Sequence, residues 1–405
     1  MKTFFSFDPK LLLYGFAIIF FASYGQTFFI SIFNTEIRNF YQLSDGEFGL
    51  VYALSTLASS FILVWFAKLI DRIDLRIYSL IISCGLALAC FGMFLLIKHI
   101  FFLFLIILTL RFFGQGAMGH AGETSLARYF DKDRGKAISV GTFGGMFGVM
   151  ILPILAVNIM NSFDWHTVWL IASFSILIVF LPILIFSLHK QNIRHNNFIN
   201  IIKEDPSQKN WKIREVILDK KFYIYLPISI ATPFIGTGLQ FHQIFIINQK
   251  GWTLAMLAQG FVSFGMFSII GLILGGPIID KFNTKKTVIY SLLPLFITII
   301  VLIFFDNYIS IFIYMSLLGF TIGIGAPFIG ALWAELYGVE NLGSIKGLLH
   351  ASMIFASALS PVIFGLIIDI GFGILTISII SLLIISISTF LPLKFENESE
   401  SKQKY

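Results

Sequence analysis

Long apolar segments alternate with short polar ones along the whole chain. Uncharged or nearly uncharged runs of about 20 residues, the length that spans a lipid bilayer, occur twelve times. They lie near residues 11–33, 48–67, 77–97, 100–122, 137–159, 167–187, 222–247, 254–279, 287–305, 308–333, 344–368 and 372–393. This pattern predicts an all-α integral membrane protein with twelve transmembrane helices.

The composition agrees with this prediction. Of the 405 residues, 57% are hydrophobic and only 12% are charged, whereas soluble domains carry roughly 25% charged residues. The polar segments are too short to form a large extramembrane domain. We therefore expect a monomeric, multi-pass protein that contacts the lipid of a bacterial inner membrane.

The positions of the basic residues predict the orientation in the membrane. A net charge of +6 would suit a nucleic-acid partner, but the basic residues are not spread evenly. Every Lys and Arg falls in segments on one side of the predicted spans, except for Arg38, Lys98 and Lys250 on the other side and Arg111 within a span. By the positive-inside rule, both termini are expected in the cytoplasm, and no nucleic-acid partner is expected.

The two halves of the chain resemble each other. The charged hairpin FAKLIDRIDLRIYSL, which contains Asp71, has a counterpart in GGPIIDKFNTKKTVIYSL, which contains Asp280 and lies about half the chain later. We expect two pseudo-symmetric six-helix bundles, residues 1–188 and 222–405, joined by a cytoplasmic linker at 189–221. Many secondary transporters consist of repeated bundles with a substrate site at their interface.

Arg111 is a candidate binding residue because a charge near the middle of a span costs about 2.5–3.5 kcal/mol on insertion scales. Gln115 lies one turn further along the same helix face, and a guanidinium suits carboxylate geometry. The pair could therefore hold an anionic or carbonyl group. The alternative is that Arg111 has a structural or coupling role, bonded to carbonyl groups or to a neighbouring span.

Gln26 and Gln240 occupy related positions in the first and seventh spans, because YGQTFFISIFN resembles GLQFHQIFIIN. Matched amides could bind a substrate from both bundles. The alternative is hydrogen bonding between helices, which polar residues in spans commonly form.

Three other titratable residues in or near the spans are candidates for proton coupling. Imidazole ordinarily titrates near neutral pH, so His242 and His350 could each relay a proton, although a lone histidine in a span is more often a packing residue. Glu123 and its counterpart Glu335 sit near the ends of the fourth and tenth spans. Either carboxylate could carry a proton, but we favour pairing with a loop cation at an inner gate.

The chain resembles the major facilitator superfamily. Its first hairpin is similar to the family motif G-x-x-x-D-R-x-G-R-K/R, with Asp71 and Arg72 matching and Ala67 and Asp74 replacing the two glycines. In the second hairpin Gly276 and Asp280 match. The resemblance implies gate roles for Asp71, Arg72, Asp280 and Glu335. The segments LWAELYGVENLGSIKGL and TGLQFHQ also resemble bacterial carriers of the monocarboxylate and oxalate/formate group.

We therefore expect a secondary active transporter for a small organic solute, favouring a carboxylate moved by proton symport or exchange. Arg111 would neutralise the anion, and Gln26, Gln115 and Gln240 would orient it. The carriers that the chain resembles have an Arg in the eighth span, which this chain lacks, and this weakens the carboxylate assignment.

The main alternative is a proton-coupled exporter of amphipathic or drug-like compounds, which the 47 phenylalanines would suit. A non-transporting receptor or scaffold is a third possibility. With no ATP-binding glycine motif, metal cluster or catalytic triad spacing in the sequence, we expect no cofactor, no metal and no enzymatic activity.

Overall fold

The computed structural model describes residues 8–95, 97–130, 134–194, 213–282, 284–337 and 342–403. The side chains of some positions within these ranges, including Asp71 and Asp280, lie outside the description. Contacts divide the chain into two compact units. The first comprises Met1–Leu43 and Leu50–Pro206, and the second comprises Ser44–Gly49 and Ser207–Tyr405.

All regular elements in the described residues are helical. Up to residue 187 these are α1 (Pro9–Ala22), α2 (Thr27–Ile30), α3 (Asn34–Tyr41), α4 (Asp45–Phe66), α5 (Leu75–Leu95), α6 (Ile100–Leu110), α7 (Gly119–Tyr129), α8 (Arg134–Met160), α9 (Trp165–Ser175) and α10 (Leu181–Ser187). Short 3₁₀ turns occupy Ser23–Gly25, Ser31–Phe33 and Ala67–Asp71, and π-helical turns occupy Arg111–Met118 and Ile176–Phe180.

After the linker the same kind of structure resumes. The helices are α11 (Ile213–Leu218), α12 (Lys220–Phe241), α13 (Gln243–Lys250), α14 (Leu254–Lys281), α15 (Thr284–Ile289), α16 (Leu293–Phe304), α17 (Tyr308–Tyr337), α18 (Leu342–Asp369) and α19 (Ile374–Gln403). A 3₁₀ turn at Tyr290–Leu292 joins α15 to α16. The linker's predicted amphipathic helix can be compared only with α11, since 195–212 lie outside the described residues.

The predicted fold class is confirmed. The described residues contain 11 helices long and apolar enough to cross a membrane, and 12 if Pro9–Gly25 and Thr27–Tyr41 are counted as one span bent by 45°. That bend is the main departure from the sequence prediction, which expected one continuous span at 11–33 and a polar loop after it. The structure instead continues in helix to Tyr41 and starts α4 at Asp45.

Side-chain caps start the first helix of each unit. Asp8 accepts a hydrogen bond from the backbone N–H of Leu11 at 3.1 Å, and Asp219 accepts one from that of Lys221 at 3.0 Å. Pro9 follows Asp8 in the first turn of α1, where its missing N–H costs nothing. These caps satisfy amide groups that have no partner within the helix.

Small residues bring helices together inside the first unit. A Cβ on Gly144 of α8 would overlap the backbone carbonyl of Phe16 on α1, and one on Gly148 would overlap the hydroxyl of Ser23. Gly141 and Gly145 face Ile19 on the same helix. This confirms the close helix approach expected from the glycine spacing in the fifth apolar run.

Candidate functional site

The first unit contains a break in its first span. Gln26 has extended backbone angles (φ −84°, ψ 153°) between the turn Ser23–Gly25 and α2. Beside the break, Gly25 and Gly114 approach so closely that a Cβ on Gly114 would lie 2.6 Å from the Cα of Gly25. Both positions therefore exclude any side chain. An unwound segment at membrane depth exposes backbone groups that need partners.

Arg111 supplies such a partner. Its Nη1 donates to the carbonyl oxygen of Gly25 at 3.1 Å and to Oγ1 of Thr27 at 3.3 Å. Its Nε donates to Oγ1 of Thr56 at 3.3 Å, and its guanidinium carbon lies 5.0 Å from the ring centre of Tyr52. We call these residues (Arg111, Gly25, Thr27, Tyr52 and Thr56) the Arg111 cluster.

The Arg111 cluster is closed to solvent. The arginine is only 2% exposed, and the hydroxyls of Thr27 and Tyr52 are 2.7 Å apart, so they hydrogen-bond each other. A π-helical turn begins at Arg111; such turns are often found at functional positions. Gln115 lies on that turn and is partly exposed, as is Gln26 at the break.

The second unit has a cavity of about 480 Å³, a size typical of small-molecule sites. Three helices line it, α12, α17 and α18, and we call it the α12–α17–α18 cavity. Its walls are mainly apolar and include Pro233, Ile322, Ile329 and Met353.

Four polar side chains line the α12–α17–α18 cavity: Thr232, Thr237 and Gln240 on α12, and His350 on α18. The cavity thus brings together Gln240 and His350, two of the residues that the sequence singled out. Among the described residues that line it, none is Lys, Arg, Asp or Glu. The site therefore offers hydrogen bonds and apolar surface, with the imidazole of His350 as its one titratable group among those residues.

Aromatic residues fix the cavity wall at the end of α17. The indole N–H of Trp333 donates to Oγ of Ser229 at 3.0 Å, and its ring stacks on Tyr337 with centres 5.9 Å apart. The hydroxyl of Tyr337 donates to the carboxylate of Asp219 at 3.1 Å. Since Asp219 also caps α12, these contacts hold α12 and α17 in register around the cavity.

His242 does not line the cavity. It sits at the turn between α12 and α13, is 1% exposed, and its Nε2–H donates to the carbonyl oxygen of Pro361 at 2.9 Å. Its Nδ1 lies 3.6 Å from Oδ1 of Asp45, in the segment 44–49 that contacts assign to the second unit. The backbone amides of Asp45 and Gly46 in turn donate to the carboxylate of Asp369 at 3.0 and 2.9 Å.

The remaining candidates lie near helix ends. Glu335 forms an ion pair of 3.9 Å with Lys285, the kind of contact expected from the sequence. Glu123 and Arg72 have exposed side chains. The side chains of Asp71 and Asp280 lie outside the described residues, so gate roles for these residues stay predictions, as does proton binding by Glu123.

Sequence reasoning missed several cavity residues, although part of the signal was present. Thr232, Gly236 and Gln240 recur at intervals of four in an apolar helix, which places them on one face. This stripe of polar and small residues could have been read from the sequence. The contribution of Gly325 could not, because it depends on what surrounds α17.

Two comparisons with known proteins bear on this architecture. The model of the Major Facilitator Superfamily matches the chain over residues 15–263 and again over 222–404. A search of curated proteins found no match. Since the matched regions cover nearly the whole chain and the fold is a helical bundle of 11 to 12 candidate spans, the chain belongs to the Major Facilitator Superfamily, a family of multi-pass membrane proteins that act as secondary transporters of small solutes.

Proposed function

We propose that the solute is a small amphipathic organic molecule and that it binds in the α12–α17–α18 cavity. The observation that carries this proposal is the chemistry of the described lining residues: apolar walls, two threonine hydroxyls, one amide and one imidazole. An uncharged polar group would hydrogen-bond Gln240 or Thr237 while an apolar body contacts Ile322, Ile329 and Met353. This chemistry favours the exporter of amphipathic compounds among the functions that the sequence left open.

A carboxylate substrate is the second candidate, and His350 is the observation that favours it. This exposed histidine lines the cavity, and its protonated form would attract an anion. Arg111 gives less support, because it is 2% exposed and engaged with the carbonyl of Gly25 and the hydroxyls of Thr27 and Thr56. We therefore assign Arg111 the structural role. Gln26 and Gln115 stay predicted substrate contacts.

We further propose that transport is proton-coupled and that His242 takes part. Because Nε2–H of His242 donates to a carbonyl, a neutral imidazole would turn the lone pair of Nδ1 toward the carboxylate of Asp45, 3.6 Å away. Two acceptors at this distance repel each other, so the contact is favourable when a proton is present on one of them. The pair thus has the chemistry of a proton-binding site.

For the cellular setting, we propose a monomer in a bacterial inner membrane with both termini in the cytoplasm. The support is the one-sided distribution of Lys and Arg along the sequence. Accessibility of single cysteines placed near each terminus, in intact and in broken cells, tests the orientation.

The substrate class can be tested with a matched series of labelled solutes. Three compounds share one apolar body and end in a neutral amide, an ammonium or a carboxylate group, and uptake into proteoliposomes is corrected for protein-free vesicles. We expect saturable transport of the amide that falls in Gln240→Leu. Transport of the carboxylate alone, retained in Gln240→Leu and lost in Arg111→Lys, would contradict the proposal.

Coupling can be tested separately with Asp45→Asn. We expect this variant to lose accumulation driven by a proton gradient while it still exchanges solute between equal concentrations on both sides. Accumulation at the wild-type level would rule out the His242–Asp45 pair as the coupling site.

A further inference from the structure

The α12–α17–α18 cavity is wide partly because two of its positions carry no side chain. Gly325 of α17 and Gly236 of α12 both line it. A Cβ on Gly325 would have no atom within 4 Å, and one on Gly236 would meet only the tips of Ile322 and Leu318 at 4.0 Å. Neither glycine is therefore required by close contact with a described neighbour.

Other glycines on α17 differ in this respect. A Cβ on Gly319 would overlap the carbonyl oxygen of Phe264, and one on Gly323 would overlap that of Ser268. These two glycines are explained by the close approach of α14 to α17. Gly325 is only two residues beyond Gly323, yet it faces open space.

Glycine in a helix interior is less favourable than alanine. A glycine that no neighbour requires thus lowers helix stability without improving the packing. What Gly325 provides is open volume. Ile322 and Ile329 flank it at i−3 and i+4, so the three residues share one helix face, and the glycine forms a notch between two branched side chains.

We propose that Gly325, with Gly236 on the facing helix, sets the largest solute that the cavity accepts. The apolar body of the solute occupies the notch between Ile322 and Ile329, while its polar group reaches the side chains of α12. This inference rests on the proposed function, because it concerns the solute that binds in the same cavity. It makes the two glycines specificity-determining positions.

The test is a size series of neutral amides whose apolar bodies grow by one methylene at a time. Transport of each member is measured for the wild type, Gly325→Ala and Gly325→Leu. A single methylene in an apolar pocket changes discrimination by roughly tenfold or more. We therefore expect Gly325→Ala to slow the largest members on the order of tenfold and to spare the smallest, and Gly325→Leu to exclude all but the smallest.

Ala351→Leu is the matched control. Ala351 is exposed on α18, does not line the cavity, and lies one turn before the exposed Phe355. The same added bulk there should leave the size profile unchanged. Melting temperatures of the Gly325 variants should equal or exceed that of the wild type, because no neighbour is displaced.

The possible results separate the inference from the proposed function. If the wild type transports the series and Gly325→Leu shows the same size profile, the inference is wrong while the proposed function stands. A lower melting temperature of Gly325→Ala would also overturn it, since the position would then be packed. If the wild type transports no member, the proposed function fails and the inference with it.

Discussion

The two units treat polar groups in opposite ways. In the first, Arg111, Thr27, Tyr52 and Thr56 are all buried and bond to one another and to the carbonyl of Gly25. In the second, the polar residues of α12 line a cavity of about 480 Å³. Polar side chains in apolar spans thus serve two purposes here: they repair a broken backbone in one unit and face open space in the other.

The difference shows how a polar residue in a span can be interpreted. A charge at membrane depth is commonly taken as a mark of function. Arg111 fits that expectation in cost, but its donors are taken up by protein groups. Gln240 is uncharged and less conspicuous in sequence, yet it lines the space where a solute fits.

The largest expected effect comes from filling the contact between Gly25 and Gly114. In Gly25→Ala the new Cβ would overlap the carbonyl oxygen of Leu110 and lie 2.8 Å from the Cα of Gly114. Since backbone atoms cannot move aside easily, we expect a loss of about 3 kcal/mol in the free energy of unfolding, at the upper end for overpacking. Thermal unfolding in detergent measures it.

Gly119→Ala is the control for this substitution. A Cβ there has no atom within 4 Å, and alanine favours helix, so we expect a gain of about 0.5–1 kcal/mol. Equal effects of the two substitutions would show that the break is not a close backbone contact.

Removing the guanidinium of Arg111 is expected to have the next largest effect. Arg111→Leu leaves the carbonyl of Gly25 buried without its donor, which costs about 1–3 kcal/mol of stability. Arg111→Lys keeps the charge but lacks the planar fork that reaches several acceptors, so it should fall between leucine and wild type. A leucine variant as stable as wild type would remove the structural role.

Gln240→Leu should separate transport from stability. Loss of a solute hydrogen bond worth about 1.4 kcal/mol lowers the affinity roughly tenfold, whereas a partly exposed side chain should change stability by less than about 0.5 kcal/mol. Gln249→Leu is the converse control, because Gln249 accepts from the backbone N–H of Ile374 at 2.7 Å, outside the cavity. That variant should lose stability and keep transport.

Ion pairs at the helix ends should show the smallest effects, again unequal between the units. Arg194 pairs with Asp8 in the first unit, with side chains 10% and 21% exposed, whereas the Lys285–Glu335 pair is 29% and 40% exposed. We expect Asp8→Asn to cost about 1 kcal/mol and Glu335→Gln less than about 0.5 kcal/mol. Double-mutant cycles in low and high salt check both, and a larger coupling for Lys285–Glu335 would reverse the comparison.

Much of the fold was predictable from the sequence because bilayer thickness imposes one length on every apolar run. The break at Gln26 was not, since residues 11–33 form a single apolar run and the contact between Gly25 and Gly114 joins distant parts of the chain. The same limit applies to Gly325. Its neighbours in sequence do not reveal that Gly323 touches Ser268 while Gly325 touches nothing.

The candidate site was predictable in part. Gln240 and His350 were identified as polar residues in apolar spans, and the structure brings both to one cavity. Arg111 was identified on the same ground, but the sequence could not tell whether its donors face a solute or the broken first span. That distinction depends on the backbone path at Gly25.

The most direct test of this account is solute binding by two purified variants, Gln240→Leu and Arg111→Lys. Binding of the neutral amide is measured by calorimetry at a temperature where both variants are folded. We predict that Gln240→Leu weakens binding roughly tenfold and that Arg111→Lys binds like the wild type despite its lower melting temperature. Binding lost in Arg111→Lys and unchanged in Gln240→Leu would contradict the division of roles between the two units.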